Sequence, residues 1–254
     1  MNIIAVANAA GSAGKTTTVV TLAALLAEAG QRVVVVDLDG QANATRWLGV
    51  DPRTLAHTVG DVLLDECSAV EALVETNTQG VRLLPANSSV NGDALELRDA
   101  VGREMRVKTA IRDLSDVDVV LIDCPGTIGL MTVMALVAAD AALTVAQPSM
   151  KELEGIEELE KTISEVRKFF GADVSLRGVV PCIVPPASAG RLYANSVELA
   201  RDTYDDLVLP PVRRSVKAAE AYAFAQPLPL FAPREGVTED YRGVLGRLQA
   251  TGVL

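Results

Sequence analysis

The chain has 254 residues, with 23 Lys+Arg against 33 Asp+Glu, 49% hydrophobic residues and only 4% aromatics. That apolar share is ample for a packed core and excludes wholesale disorder, while a formal charge of −10 argues against a constitutively basic nucleic-acid binder. Three scattered cysteines (Cys67, Cys124, Cys182) and a single histidine, His57, exclude a disulfide framework, a CxxC pair and a His-based metal site or Ser/His triad.

The N-terminus MNIIAVAN has no basic leader region and runs straight into a strand, so a cytoplasmic protein without signal peptide is expected. Residues 3–8 (IIAVAN) read as that strand. A loop of small residues follows from Ala9 to Gly14, and Lys15 to Ala29 reads as a helix closed by Gly30. Residues 32–37 (RVVVVD) form the second strand, completing a βαβ unit. Further strands are predicted at 81–86, 117–123, 142–147, 177–184 and 207–209. Most are apolar throughout rather than alternating, as parallel strands covered on both faces are. Over 152–170, Ile156, Leu159, Ile163, Val166 and Phe170 recur at helical spacing, and the Glu-rich remainder of that helix reads as a wet face. A last helix is predicted at about 237–250. Pro185-Pro186 and Pro210-Pro211 mark turns, and no run of about 18 apolar residues could span a membrane. The expectation is one doubly wound, mostly parallel α/β domain over residues 1–254.

The chemistry concentrates after the first strand. In Ala9-Ala10-Gly11-Ser12-Ala13-Gly14-Lys15-Thr16-Thr17, small residues let backbone N–H groups converge on a phosphate, and the following helix adds its unpaired N–H groups and dipole. Gly11 through Thr17 are therefore nucleotide-binding candidates. Lys15 would reach the β/γ-phosphates and Thr16 would place a hydroxyl on Mg²⁺. The strict GxxxxGK[ST] pattern fails at its first glycine, where Ala9 stands. Asp123 ends the strand VVLID where a Mg²⁺-organising carboxylate belongs, and Gly126 follows at a distance suited to sensing a γ-phosphate. Asp37 and Asp39 close the second strand, where a carboxylate could orient an attacking water. The competing reading of any one strand-end aspartate is a helix cap or turn residue.

With these residues in view, the sequence resembles the ParA/MinD family of deviant Walker-A P-loop ATPases, in its ParA/Soj partition branch. The family pattern NQKGGVGKTT corresponds to Asn8 through Thr17. DLDPQGNAT corresponds to Asp37 through Thr45, with Leu48-Gly49 following, and IDCPPSLG to Ile122 through Gly129. The stretch 138–159 is similar to the family's AAD…VQPE…LEGL segment. The resemblance implies ATP or ADP with Mg²⁺ as cofactors, Thr16, Asp39 and Asp123 around the metal, and catalysis by Lys15 with Asp39 positioning water. It also implies a homodimer sandwiching two ATP molecules, nonspecific nucleoid DNA as a partner, hydrolysis stimulated by a ParB-like or adaptor protein, and no membrane. The family's signature lysine, which crosses the dimer, aligns with Ala10, and Lys151 is the candidate to replace it; its competing reading is a solvated lysine at a helix start. DNA-binding candidates are Arg213, Arg214 and Lys217, with Arg191 and Arg242 behind them, in a stretch similar to the family's VIPRNVRLSEA; for each, ordinary surface charge is the alternative. Two other functions stay open: a nucleotide-gated scaffold that does not hydrolyse, and a MinD-like membrane-associated ATPase, although the thin apolar stripe of the C-terminal tail suits the latter poorly.

Overall fold

The computed structural model describes residues 1–9, 14–147, 149–186, 198 and 200–254, without the side chains of residues 150, 151 and 153. Among these residues seven strands, β1 (Asn2–Val6), β2 (Val33–Asp37), β3 (Val74–Glu75), β4 (Val81–Leu84), β5 (Val119–Asp123), β6 (Ala141–Ala146) and β7 (Ser175–Pro181), make one sheet in the order β3-β4-β2-β5-β1-β6-β7. Every pairing is parallel except β3 on β4. This is the mostly parallel, helix-flanked sheet expected from the sequence.

The continuous apolar runs follow from two cores. Successive strand side chains point to opposite faces. In β1, Ile3 and Ala5 enter one core, with Ile111, Met134, Leu136 and Ile156 from helices Arg106–Arg112, Leu130–Ala138 and Met150–Phe170. Ile4 and Val6 enter the other, with Val19, Leu22, Tyr241 and Val244 from helices Lys15–Glu28 and Gly236–Ala250. A strand sandwiched between two helical layers has no wet side on which polar alternation could develop. The C-terminal helix thus spends its apolar stripe on the core. Among the described residues no helix is long and apolar enough to cross a membrane.

The expected strand at 207–209 is corrected. Asp205–Leu207 form a 3-10 turn, and Val208 contributes one isolated bridge to Val179. Leu209 N–H still donates to the Val179 carbonyl at 2.8 Å, but Pro210 and Pro211 supply no donors, and pairing resumes only at Val212 N–H, which donates to the Pro181 carbonyl at 2.7 Å. The strand expected at 3–8 closes at Val6. Ala7 keeps one bond to the Leu143 carbonyl, at 3.0 Å, and the chain then leaves the sheet. That exit lies between β5 and β6, the strand order's reversal point, where open α/β sheets place their ligands.

Candidate functional site

The strand register sets the site's floor. Val6 pairs with Asp123 across β1 and β5, and Asp37 pairs with Asp123 across β2 and β5, so three strands end level. Over this edge opens a cavity of about 790 Å³, within the range of small-ligand sites. Gly14, Lys15, Thr16 and Thr17 form one side, Asp39 and Gly126 another.

Gly14 caps the phosphate-side helix in a left-handed conformation, with φ 102°, which an L side chain rarely adopts. Helix Lys15–Glu28 starts with no side-chain cap and no acidic residue in its first turn. Its first N–H groups and the positive end of its dipole are therefore offered to an anion outside the helix. Lys15 stands at the same point, 7% exposed.

Beneath the helix start, Thr16 Oγ1 donates to Asp123 Oδ2 at 2.7 Å. Asp123 is fully buried, and its other oxygen, Oδ1, has no hydrogen-bond partner among the described residues. Burial, then the charge of Asp37, holds the Asp123 carboxyl well above the usual carboxylate range, against the pull of the Thr16 hydrogen bond. A buried carboxylate with an idle oxygen beside a hydroxyl is a costly arrangement. It suits a hard divalent cation, directly or through its waters. The donor set of Thr16 and Asp123 thus fits Mg²⁺.

The two aspartates of β2 separate into different tasks. Asp37 accepts from Thr45 N–H at 2.9 Å, Thr45 Oγ1 at 2.8 Å and Asp39 N–H at 3.1 Å. Burial pushes its carboxyl up to about 6, with the Thr45 bonds pulling the other way. It ties the loop after β2 to helix Asn43–Trp47 and is not presented to the cavity. Asp39 is half-buried, lines the cavity, and accepts Gln41 N–H at 2.9 Å. Of the pair, only Asp39 is placed to meet a ligand.

Among the other expected residues, Ala10, Gly11, Ser12, Ala13 and Arg191 lie outside the described residues. Lys151 lies in the first turn of helix Met150–Phe170, its side chain outside the description. Arg213 and Arg214 line the same cavity as the phosphate-side helix, rather than a separate stripe. Arg213 forks onto Asp240 at 2.6 and 2.7 Å, Lys217 pairs with Glu220 at 2.8 Å, and Arg242 pairs with Glu239 at 2.5 Å. The Lys217 and Arg242 pairs are partly exposed and worth little, so phosphate could displace them, whereas the Arg213 fork ends on a mostly buried Asp240 that also accepts Arg213 N–H at 3.0 Å. Sequence reasoning missed Tyr241 and Cys182 on the cavity wall; burial pushes the Cys182 thiol up to about 12. It also missed Glu152. Read as part of a wet face, Glu152 is 8% exposed and accepts from Asn8 Nδ2 at 3.1 Å. The signal was its spacing: residue 152 precedes Ile156 by four and Leu159 by seven, on the buried stripe.

A family model described as an AAA domain, AAA_31, matches residues 1–176. The chain is 32% identical over 252 residues to the sporulation initiation inhibitor protein Soj of Bacillus subtilis, covering 98% of this chain and 99% of Soj. It is 33% identical over 247 residues to the chromosome partitioning protein ParA of Myxococcus xanthus, covering 96% and 86%. Among solved structures, cobyrinic acid a,c-diamide synthase from Mycobacterium smegmatis, with bound ATP analog and magnesium, is 35% identical, with a TM-score of 0.79 and coverage of 92% and 97%. Apo McdA from Cyanothece shares the fold, with a TM-score of 0.89 at 21% identity and coverage of 98% and 99%. The chain belongs to the AAA_31 domain family, in its ParA/MinD group, with Soj and ParA among its homologues.

Proposed function

We propose that this chain is a ParA/Soj-type partition ATPase acting as one domain over residues 1–254. It binds ATP with Mg²⁺, pairs with a second copy around two nucleotides, and then holds DNA without sequence preference. A ParB-like or adaptor partner stimulates hydrolysis and so moves or positions a DNA or protein cargo over the nucleoid. The observation that carries the reading is the Thr16–Asp123 hydrogen bond of 2.7 Å under an uncapped helix start, with Asp123 Oδ1 left over.

The residues divide the work. Gly14 and the N–H groups after it bind the phosphates, and Lys15 spreads the negative charge of the β/γ-phosphates. Thr16 and Asp123 hold the metal, and bound Mg²⁺ supplies charge neutralisation on the transferring phosphoryl group. Asp39 orients the attacking water, and Gly126 offers its amide where a γ-phosphate would be sensed. Ala10 cannot supply the cation that the signature lysine gives in trans, a contribution on the order of 10³–10⁵ in rate for comparable arginine fingers. Lys151 supplies it here. Arg213, Arg214 and Lys217 contact DNA phosphates, and the position of the arginines on the cavity wall lets nucleotide occupancy influence them.

The test is steady-state ATP hydrolysis with light scattering, with and without Mg²⁺ and random-sequence DNA. Lys15→Ala should abolish hydrolysis, and Lys151→Ala should abolish ATP-driven dimerisation while nucleotide binding survives. A wild type that binds ATP and dimerises with no turnover under any condition would favour the non-hydrolysing scaffold that Ala10 suggests. A wild type that binds no adenine nucleotide in the presence of Mg²⁺ would remove both readings.

A further inference from the structure

Asn8 is the last residue but one before the undescribed phosphate loop, and its side-chain amide is committed twice. Nδ2 donates to the Val145 carbonyl at the end of β6, and to Glu152 Oε2 at 3.1 Å. The amide carries two donor protons, so both are used. Glu152 lies in the first turn of helix Met150–Phe170 and is 8% exposed. Burying a carboxylate at that depth is unfavourable unless it is well hydrogen-bonded, and an apolar residue at this stripe position would be cheaper. The helix also approaches the same residues at Gly155, where a Cβ would lie 3.2 Å from Asn8 Oδ1 and 3.4 Å from Ala9 Cβ. One hydrogen bond and one close backbone approach thus join one helix turn to the two residues that open the phosphate loop.

We infer that Glu152 is a positioning residue: through Asn8 it locks the start of the phosphate loop to the first turn of helix Met150–Phe170, so that nucleotide bound by the one orders the other. The inference rests on the nucleotide-binding reading above and adds a route by which triphosphate occupancy reaches residue 151. The route needs no large motion. The amide plane of Asn8 is fixed at both donors, so a shift of the loop backbone is handed directly to the Glu152 carboxylate.

The experiment compares wild type, Glu152→Ala, Glu152→Gln and Asn8→Ala, using hydrogen exchange with ATP–Mg²⁺ and steady-state kinetics. In the wild type, ATP–Mg²⁺ should slow exchange both in residues 14–20 and in residues 149–156. In Glu152→Ala the first protection should persist and the second should be lost, with kcat falling about tenfold or more and KM for ATP moving less than about threefold. Glu152→Gln keeps an acceptor for Asn8 and should restore both readouts to within about twofold of wild type. Adding Glu152→Ala to Asn8→Ala should change nothing further. Additive effects, or protection of 149–156 surviving in both alanine variants while the wild type responds to ATP, would overturn the clamp and leave the nucleotide reading standing. A wild type indifferent to ATP–Mg²⁺ would overturn both. Should Glu152→Ala fail to fold, Asn8→Ala and Glu152→Gln carry the same comparison.

Discussion

Replacing Asp123 by Asn should make the nucleotide-free protein more stable while destroying its response to Mg²⁺. Asp123 and Asp37 are register partners on adjacent strands, and both are fully buried. Strand spacing sets them about 5 Å apart. Two like charges at that distance repel by about 3 kcal/mol at an effective dielectric of about 20. The Asn amide at the position of Oδ1 stays unsatisfied at a cost of about 1 kcal/mol, and its carbonyl still accepts from Thr16. The net gain is about 1–2 kcal/mol, or roughly 2–8 °C in melting temperature for a chain of this size. The sign with pH follows from linkage. Both carboxyls are raised in the fold, Asp37 to about 6 against an ordinary 3.8. The folded state therefore binds more protons than the unfolded state above about pH 4, and stability falls as pH rises through that window. The advantage of the variant should be largest at pH 8 and fade by pH 5. Thermal denaturation at both pH values, with and without ATP–Mg²⁺, reads it directly. If Asp123→Asn melts below the wild type at pH 8, or still gains stability from Mg²⁺ with ATP, the assignment of Asp123 as a strained, metal-awaiting carboxylate is wrong.

Four further outcomes are expected. Gly14→Ala should cost about 1–2 kcal/mol in the nucleotide-free protein and weaken ATP binding, because φ 102° disfavours any Cβ although Cys182 leaves 3.5 Å of room for one; chemical denaturation and nucleotide titration measure the two effects. Binding of the wild type to random-sequence DNA should require ATP and weaken steeply with salt. Arg214→Ala should reduce the salt slope by about one charge, and Asp240→Ala, which releases Arg213 from its fork, should strengthen binding in a mobility-shift titration. A slope unchanged by Arg214→Ala would remove that residue from the DNA surface.

What could be read in the sequence follows from which signals are local. The runs VVVVD and VVLID announce buried parallel strands because both faces of the sheet are covered, and they carry their terminal aspartates with them. The order Lys15, Asp37–Asp39, Asp123 is legible for the same reason. The division between Asp37 and Asp39 is not, because it depends on Thr45, eight residues beyond Asp37, folding back to occupy one carboxylate. Helix Leu130–Ala138 carries no periodic signal in the sequence, because a helix with nearly every side chain buried has no polar face to betray it. The short helices Val59–Leu63 and Ala69–Ala72 each begin with a capping box, Thr58 with Asp61 and Ser68 with Glu71, a local signature that the apolar pattern overshadows. The segment 207–209 misled in the opposite direction: its residues favour strand, but the prolines that follow decide its fate.

The two margins of the sheet bear on how the folded chain behaves in a crowd. On one side β3 contributes only Val74 and Glu75, and it runs antiparallel with a charged residue in it. On the other, the run from Val208 to Arg213 bridges to Val179 in β7 and to Val184 just past its end, its Pro210 and Pro211 turning no donors outward. A bare row of amides and carbonyls is what recruits stray strands into ribbons and fibres. Among the described residues, β3 is two residues long and the end of β7 is covered from Val179 onward. Borders this short and partly covered give a stray strand little to pair with, so the fold itself works against cross-β growth.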